Sequence, residues 1–173
     1  PAIVYGDPST YWGVIDSAIR AAAYRNISVE LLIGYWRYSD PLQQYYLHSL
    51  NDLPNIEVRY FEVPATTPVV PYTRVNHAKW MVTDKGVYVG TSNWTGDYFT
   101  NTCGLGVALY DKMAWSIANG IYERDWNSQY TVPLPPLPGK GKGKGKGKGQ
   151  GSKAGSRVAG KGKAQTRLIA RSG

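Results

Sequence analysis

Apolar residues recur at spacings of three and four along Tyr11, Ile15, Ala18, Ile19 and Ala22, the repeat of an amphipathic helix. Asp7-Pro8-Ser9 precedes them as a helix start, an N-cap followed by proline, and the pattern runs out near Asn26. Val29 to Tyr35 (VELLIGY) is a short, almost unbroken apolar run, which fits a strand covered on both faces. Ser39-Asp40-Pro41 opens a second helix that reaches about Asn51. Ile56 to Val63 (IEVRYFEV) alternates as a strand, and three prolines make 64–73 a loop. Val75 to Thr83 reads as a strand, Asp84-Lys85-Gly86 as a turn and Val87 to Thr91 as the returning strand of a hairpin. Gly104 to Tyr110 (GLGVALY) predicts another strand. Met113, Ile117, Ile121 and Tyr122 place a last helix at about 111–126. The order α, β, α, β, β, β, β, α predicts an α/β layered domain over residues 1–133.

From Pro133 the pattern disappears. PLPPLP favours polyproline II, and Gly-Lys repeats five times over 139–148. Such a stretch has too little apolar surface to offset its ordering entropy, so 134–173 is expected to be a disordered tail. Charge divides at the same place. Residues 1–138 carry nine Lys/Arg and twelve Asp/Glu, a net −3, whereas 139–173 carry eleven Lys/Arg and no acid. The overall +8 therefore describes the tail, which could hold polyanions nonspecifically or do nothing selected.

The remaining composition narrows the classes. A 42% hydrophobic share is enough for a core. The lone Cys103 excludes an intrachain disulfide and any cysteine-based metal site, and is expected to be a small buried hydrophobe. No apolar run is long enough to span a membrane. The chain starts at Pro1, without Met or a signal-like stretch, and is expected to be a fragment or processed product with any anchor upstream.

The candidate chemistry lies in the hairpin. His77 and Lys79 stand two apart on an expected strand, so their side chains should share a face. Asp84 follows at the strand end, and Gly90-Thr91-Ser92-Asn93 brings the Asn93 amide back to the same edge. Such a set suits phosphodiester cleavage. Lys79 and the Asn93 amide can stabilise the charge that grows on phosphoryl oxygens. An imidazole can attack phosphorus or protonate the leaving oxygen. The set calls for no metal or other cofactor.

His77-Ala-Lys79-x4-Asp84 followed by GTSN resembles the HKD motif of the phospholipase D superfamily. The longer string VNHAKWMVTDKGVYVGTSNWTGDYFTNT, with LLIGYW and PYTRVNH upstream and ERDWNSQY downstream, resembles the second half of its animal members three and four over roughly 8–130. The resemblance implies a phospholipase D-like half-domain, a mixed sheet flanked by helices, whose first strand is missing here. It implies a 5′-3′ exonuclease on single-stranded DNA or RNA acting through phosphohistidine, with phospholipid hydrolysis or transphosphatidylation as the alternative. Two half-sites are needed, so the partner would be a missing N-terminal HKD half or a second copy of the chain, and this chain alone would be incomplete. His77 could be the nucleophile or the general acid. The resemblance also implies an endolysosomal or ER-lumenal glycoprotein, with its membrane anchor upstream. An acid that orients the histidine often stands eleven residues after the Asn. Gly104 occupies that offset, with Asp97 and Asn101 the nearest polar candidates.

Several residues carry two readings. Asp84 either starts a turn or acts in the site. Trp94, Tyr98 and Phe99 either stack on substrate or pack in the core, and Trp36 and Tyr72 pose the same question. Thr91 and Ser92 either donate to phosphate or cap backbone groups. Asn93 and Asn26 both begin glycosylation sequons, and Asn26-Ile27-Ser28 at a helix end is the better acceptor. His48 is expected to be an ordinary helix residue.

Overall fold

A computed structural model describes residues 3–4, 7–137 and 165–171. The strands are β1 (Ile3–Val4), β2 (Asp7–Tyr11), β3 (Ser28–Tyr35), β4 (Ile56–Glu62), β5 (Trp80–Thr83), β6 (Val87–Gly90), β7 (Gly106–Leu109), β8 (Thr131–Pro133) and β9 (Gln165–Arg171). The helices are α1 (Val14–Tyr24), α2 (Gln43–Asn51), α3 (Gly96–Thr100) and α4 (Lys112–Trp126). β1 and β2 form a small antiparallel pair. The other seven strands form one mixed sheet in the order β7-β6-β5-β9-β3-β4-β8.

Alternation along β3 divides the core. Val29, Leu31 and Ile33 point to one face, where they meet Ala23 of α1, Leu47 and Leu50 of α2, and Trp94. Leu32 points to the other face and packs with Trp80, Val82 and the α4 residues Ala118, Tyr122 and Trp126. All four central residues, Leu31 to Gly34, are buried, as the unbroken apolar run required. β3 and β4 are parallel, and α2 provides the crossover that parallel neighbours need. The result is the expected mixed sheet flanked by helices.

Several expectations need correction. Asp7-Pro8-Ser9 does not cap a helix. It lies in β2, paired with β1, and the helix starts only after Gly13. The strand expected at Val75–Thr83 begins at Trp80. α4 has the expected span, but Met113 and Ile117 are exposed while Ala118, Tyr122 and Trp126 are buried. The three- and four-residue repeat was real, yet two stripes satisfied it and the aromatic one packs. Cys103 is exposed rather than buried.

The largest correction concerns the region expected to be disordered. Gln165–Arg171 forms β9, parallel to β3 from Ser28↔Gln165 to Gly34↔Arg171 and antiparallel to β5 from Trp80↔Ile169 to Thr83↔Thr166. The Gly/Lys composition hid this short run, QTRLIAR, which includes β-branched and apolar residues. β9 occupies the sheet position between β3 and β5. The Gly-Lys repeat itself lies outside the described residues.

Candidate active site

The C-terminal end of β3 sets the location. A Cβ on Gly34 would stand 2.7 Å from the Asn76 carbonyl oxygen, so only glycine lets the segment before β5 cross the sheet this closely. Asn76 Oδ1 accepts from the Ala78 N–H at 3.0 Å and closes a tight turn around His77. Upstream, Tyr72 and Arg74 have φ of 58° and 63°, left-handed values that are strained for side chains of this size. Arg74 Nε donates to the Pro64 carbonyl at 2.8 Å and ties this loop to the end of β4.

His77 is exposed and Lys79 is 4% exposed. They precede β5 rather than lying within it, so strand alternation does not place them together. The ammonium does: Lys79 Nζ donates to the His77 carbonyl at 2.6 Å. The Gly90 N–H donates to the Lys79 carbonyl at 2.9 Å, which extends the β5–β6 ladder by one rung and leads the chain toward Asn93 at the same edge. Asn93 is 4% exposed, and its Oδ1 has no hydrogen-bond partner among the described residues. Leaving a buried amide oxygen unpaired costs on the order of 1–3 kcal/mol, and such exceptions call for a functional account. The burial also makes Asn93 unavailable to a glycan.

Asp84 is not part of this set. It follows β5, five residues beyond Lys79, roughly 16 Å away along extended chain. It is exposed and paired with Lys85 at 3.0 Å, so it serves the turn. Trp94 belongs to the core at 8% exposure, which removes it as a stacking surface. Tyr98 is half-buried, and Phe99 stacks on Trp12 with ring centroids 5.4 Å apart. Thr91 caps backbone: its Oγ1 accepts from the Leu105 N–H at 2.9 Å.

The glycine at the offset of the orienting acid has a steric reason. A Cβ on Gly104 would overlap Ser92 Oγ and lie 3.1 Å from Thr91 Oγ1, so a side chain there would require Ser92 to move. Asp97 already accepts from the Thr95 hydroxyl at 2.6 Å. Asn26 is exposed at φ 64°, its Oδ1 accepting from Asn55 Nδ2 at 3.2 Å. His48 Nε2 contacts the Pro135 carbonyl at 2.8 Å, fastening the proline-rich stretch to α2.

Sequence reasoning left one neighbouring group unresolved. Trp36 and Tyr38, just past β3, meet Tyr72 in the strained loop. Trp36 and Tyr72 were candidates for stacking from the sequence, whereas Tyr38 was not. Beside them a cleft of about 630 Å³ runs along the ends of β3 and β4. Among the described residues, no group of three or more His, Cys, Asp or Glu could share a metal ion, and no helix is long and apolar enough to cross a membrane.

The chain is 53% identical over 137 residues to phospholipase D Y of Dictyostelium discoideum, covering 78% of this chain and 31% of that protein. It is 45% identical over 132 residues to the virion nicking-joining enzyme of Vaccinia virus (strain Western Reserve), covering 72% and 31%. It is 43% identical over 148 residues to the 5′-3′ exonuclease PLD3 of Xenopus laevis, covering 76% and 30%. The chain thus spans about a third of the length of these relatives. NucT from Helicobacter pylori shares the fold, with a TM-score of 0.57 at 22% identity over 69% of this chain and 73% of that one. Residues 12–126 match the family described as cardiolipin synthase, PLD-like domain. More than half of the sequence lies in that match, and the chain belongs to the phospholipase D-like family.

Proposed function

We propose that this chain supplies one half-site of a phosphodiesterase that acts on single-stranded nucleic acid, as a 5′-3′ exonuclease working through phosphohistidine. The observation that carries the reading is the exposed His77 beside the buried Lys79 ammonium, 2.6 Å from the His77 carbonyl, with the buried Asn93 amide on the same sheet edge. A fixed, desolvated cation and an amide are suited to the negative charge of a phosphoryl group in transit. One imidazole forms a P–N bond as the P–O bond to the leaving oxygen breaks, and a second imidazole gives that oxygen its proton. Water then attacks phosphorus, the P–N bond breaks, and the second imidazole takes the water proton. His77 holds one of these two roles. The other histidine comes from the remainder of the protein or from a second copy, which light scattering of the purified chain would distinguish.

The test is hydrolysis of a 5′-hydroxyl oligonucleotide by the complete protein at acidic pH, without divalent metal. Full activity of His77→Ala would sink the proposal, and Lys79→Ala should lose most of the rate. A second reading rests on the relative at 53% identity named phospholipase D Y: the same site would act on a phospholipid. A labelled lipid offered with a competing alcohol separates the two by product. An endolysosomal or ER-lumenal setting, with a glycan on Asn26, belongs to the same proposal. Glycosidase digestion of the protein from its native cells would test it.

A further inference from the structure

Tyr38 and Tyr72 lie face to face, ring centroids 4.7 Å apart and planes 15° from parallel. Trp36 meets the edge of Tyr38 at 4.8 Å. The Arg37 guanidinium sits over the Tyr38 ring at 5.0 Å, a cation–π contact. Tyr72 is the outer member of the group and is 74% exposed. An exposed aromatic stack is unusual where core packing is available, and the loop that carries this one tolerates strained backbone to present it. The left-handed φ of Tyr72 and Arg74 turns the loop outward, and the Arg74 bond to Pro64 fixes it. Five residues later the same loop delivers His77. Trp36 lies two residues after Gly34, the point where Asn76 crosses β3. The stack and the phosphate-handling edge therefore share one end of the parallel strands β3 and β4, where ligands of α/β sheets commonly sit. Arg37 and Arg74 line the adjoining cleft, with Glu62 the single carboxylate among its lining residues.

We propose that the Tyr38–Tyr72 stack, flanked by Arg37 and Arg74, is a platform on which a nucleobase of a single-stranded nucleic acid stacks while its phosphodiester meets His77 and Lys79. This rests on the phosphodiesterase reading and extends it to a base-binding subsite. A flat π-face with guanidinium groups beside it matches a planar ring joined to a phosphate. An acyl chain gains little from one open aromatic face, since its binding scales with the apolar area it buries.

The experiment uses the full 173-residue chain carrying His77→Ala, so that binding is read without turnover. Fluorescence anisotropy compares an oligothymidylate with an abasic oligonucleotide of the same length. Tyr72→Ala should weaken the oligothymidylate by about 5- to 150-fold and leave the abasic strand unchanged. Tyr72→Phe should restore binding, because the stacking face is kept. Lys79→Ala should weaken both strands equally. The platform is refuted if Tyr72→Ala weakens both strands alike, changes neither, or weakens only binding to phosphatidylcholine vesicles. It is also refuted if Tyr72→Phe fails to rescue or if neither strand binds. If Lys79→Ala changes neither strand while the Tyr72 effect persists, the phosphodiesterase reading fails and the platform stands. Circular dichroism of each variant confirms that the fold is retained.

Discussion

Adding a single methyl group at Gly34 should separate the positioning of His77 from the stability of the domain. The new Cβ would stand 2.7 Å from the Asn76 carbonyl oxygen, whereas ordinary contact begins at 3.4 Å. The obstacle is backbone, not the free end of a side chain, so the 75–79 segment must retreat by the difference of 0.7 Å. Overpacking of this size costs about 1–3 kcal/mol. The retreat falls on the residue before His77, and misplacing a catalytic group by about 1 Å can lower the rate ~100-fold. Gly34→Ala is therefore expected to unfold a few degrees earlier while turnover by the complete protein falls about 10- to 100-fold. Gly120→Ala is the matched control. Its Cβ would meet nothing within 4 Å, and it sits inside α4, so it should stabilise by about 0.4–1 kcal/mol and leave turnover unchanged. Thermal unfolding and single-turnover cleavage, measured at a temperature where both variants are folded, read the two effects separately. If Gly34→Ala matches the parent in both, the proposed link between β3 and His77 is wrong.

Four further outcomes follow from the same geometry. Asp84→Ala should change stability by less than about 1 kcal/mol and leave turnover at the parent value, because Asp84 stands at the far end of β5 and pairs with Lys85 on the surface; a tenfold loss of rate would return it to the site. Asp111→Ala should destabilise by about 0.5–2 kcal/mol in denaturant unfolding, since the carboxylate accepts from the Met113 and Ala114 N–H groups at 2.9 Å and caps α4. Burial, then Tyr35 and Glu62, pushes the Tyr60 phenol up to about 12 from 10.0. The stability that neutral Tyr60 contributes is therefore complete below pH ~10 and lost as pH climbs through ~12. Tyr60→Phe should flatten that alkaline decline in Tm while keeping the ring stacked on Tyr35. Ending the chain at 164 should speed hydrogen exchange at the β3 and β5 amides that face β9; unchanged exchange would mean that β9 does not pair there in solution.

What the sequence revealed depended on how many neighbours a segment needs. β3 declared itself because burial on both faces demands an unbroken apolar run, and β4 because its alternation matches one buried face. The HKD string was legible because its spacing is local, running through the β5–β6 hairpin, where the Gly90 N–H bonds the Lys79 carbonyl. The span of α4 was legible from Met113, Ile117, Ile121 and Tyr122, but of these only Tyr122 is buried, since the sheet chooses the stripe Ala118-Tyr122-Trp126. Asp84 carried both a turn and a site reading, and its exposure and its pairing with Lys85 beyond β5 favour the turn. The Tyr38–Tyr72 stack joins two loops 34 residues apart and depends on left-handed backbone at Tyr72, so no local pattern could announce it. β9 was masked because averaging over a Gly/Lys-rich stretch diluted seven strand-forming residues.

The central position of β9 bears on the order of folding events. Ser28 pairs with Gln165, 137 positions later, so the sheet is closed by contacts of very large sequence separation. Contacts of that kind form slowly, because a long loop must be closed before any pairing rewards it. During synthesis, β3 and the strand that follows His77 would each present an open edge until residues 165–171 have emerged. Open edges are where chains pair with the wrong neighbour. The segment ahead of β9 is rich in lysine and holds no acid, so its like charges would keep partly assembled chains apart during that interval.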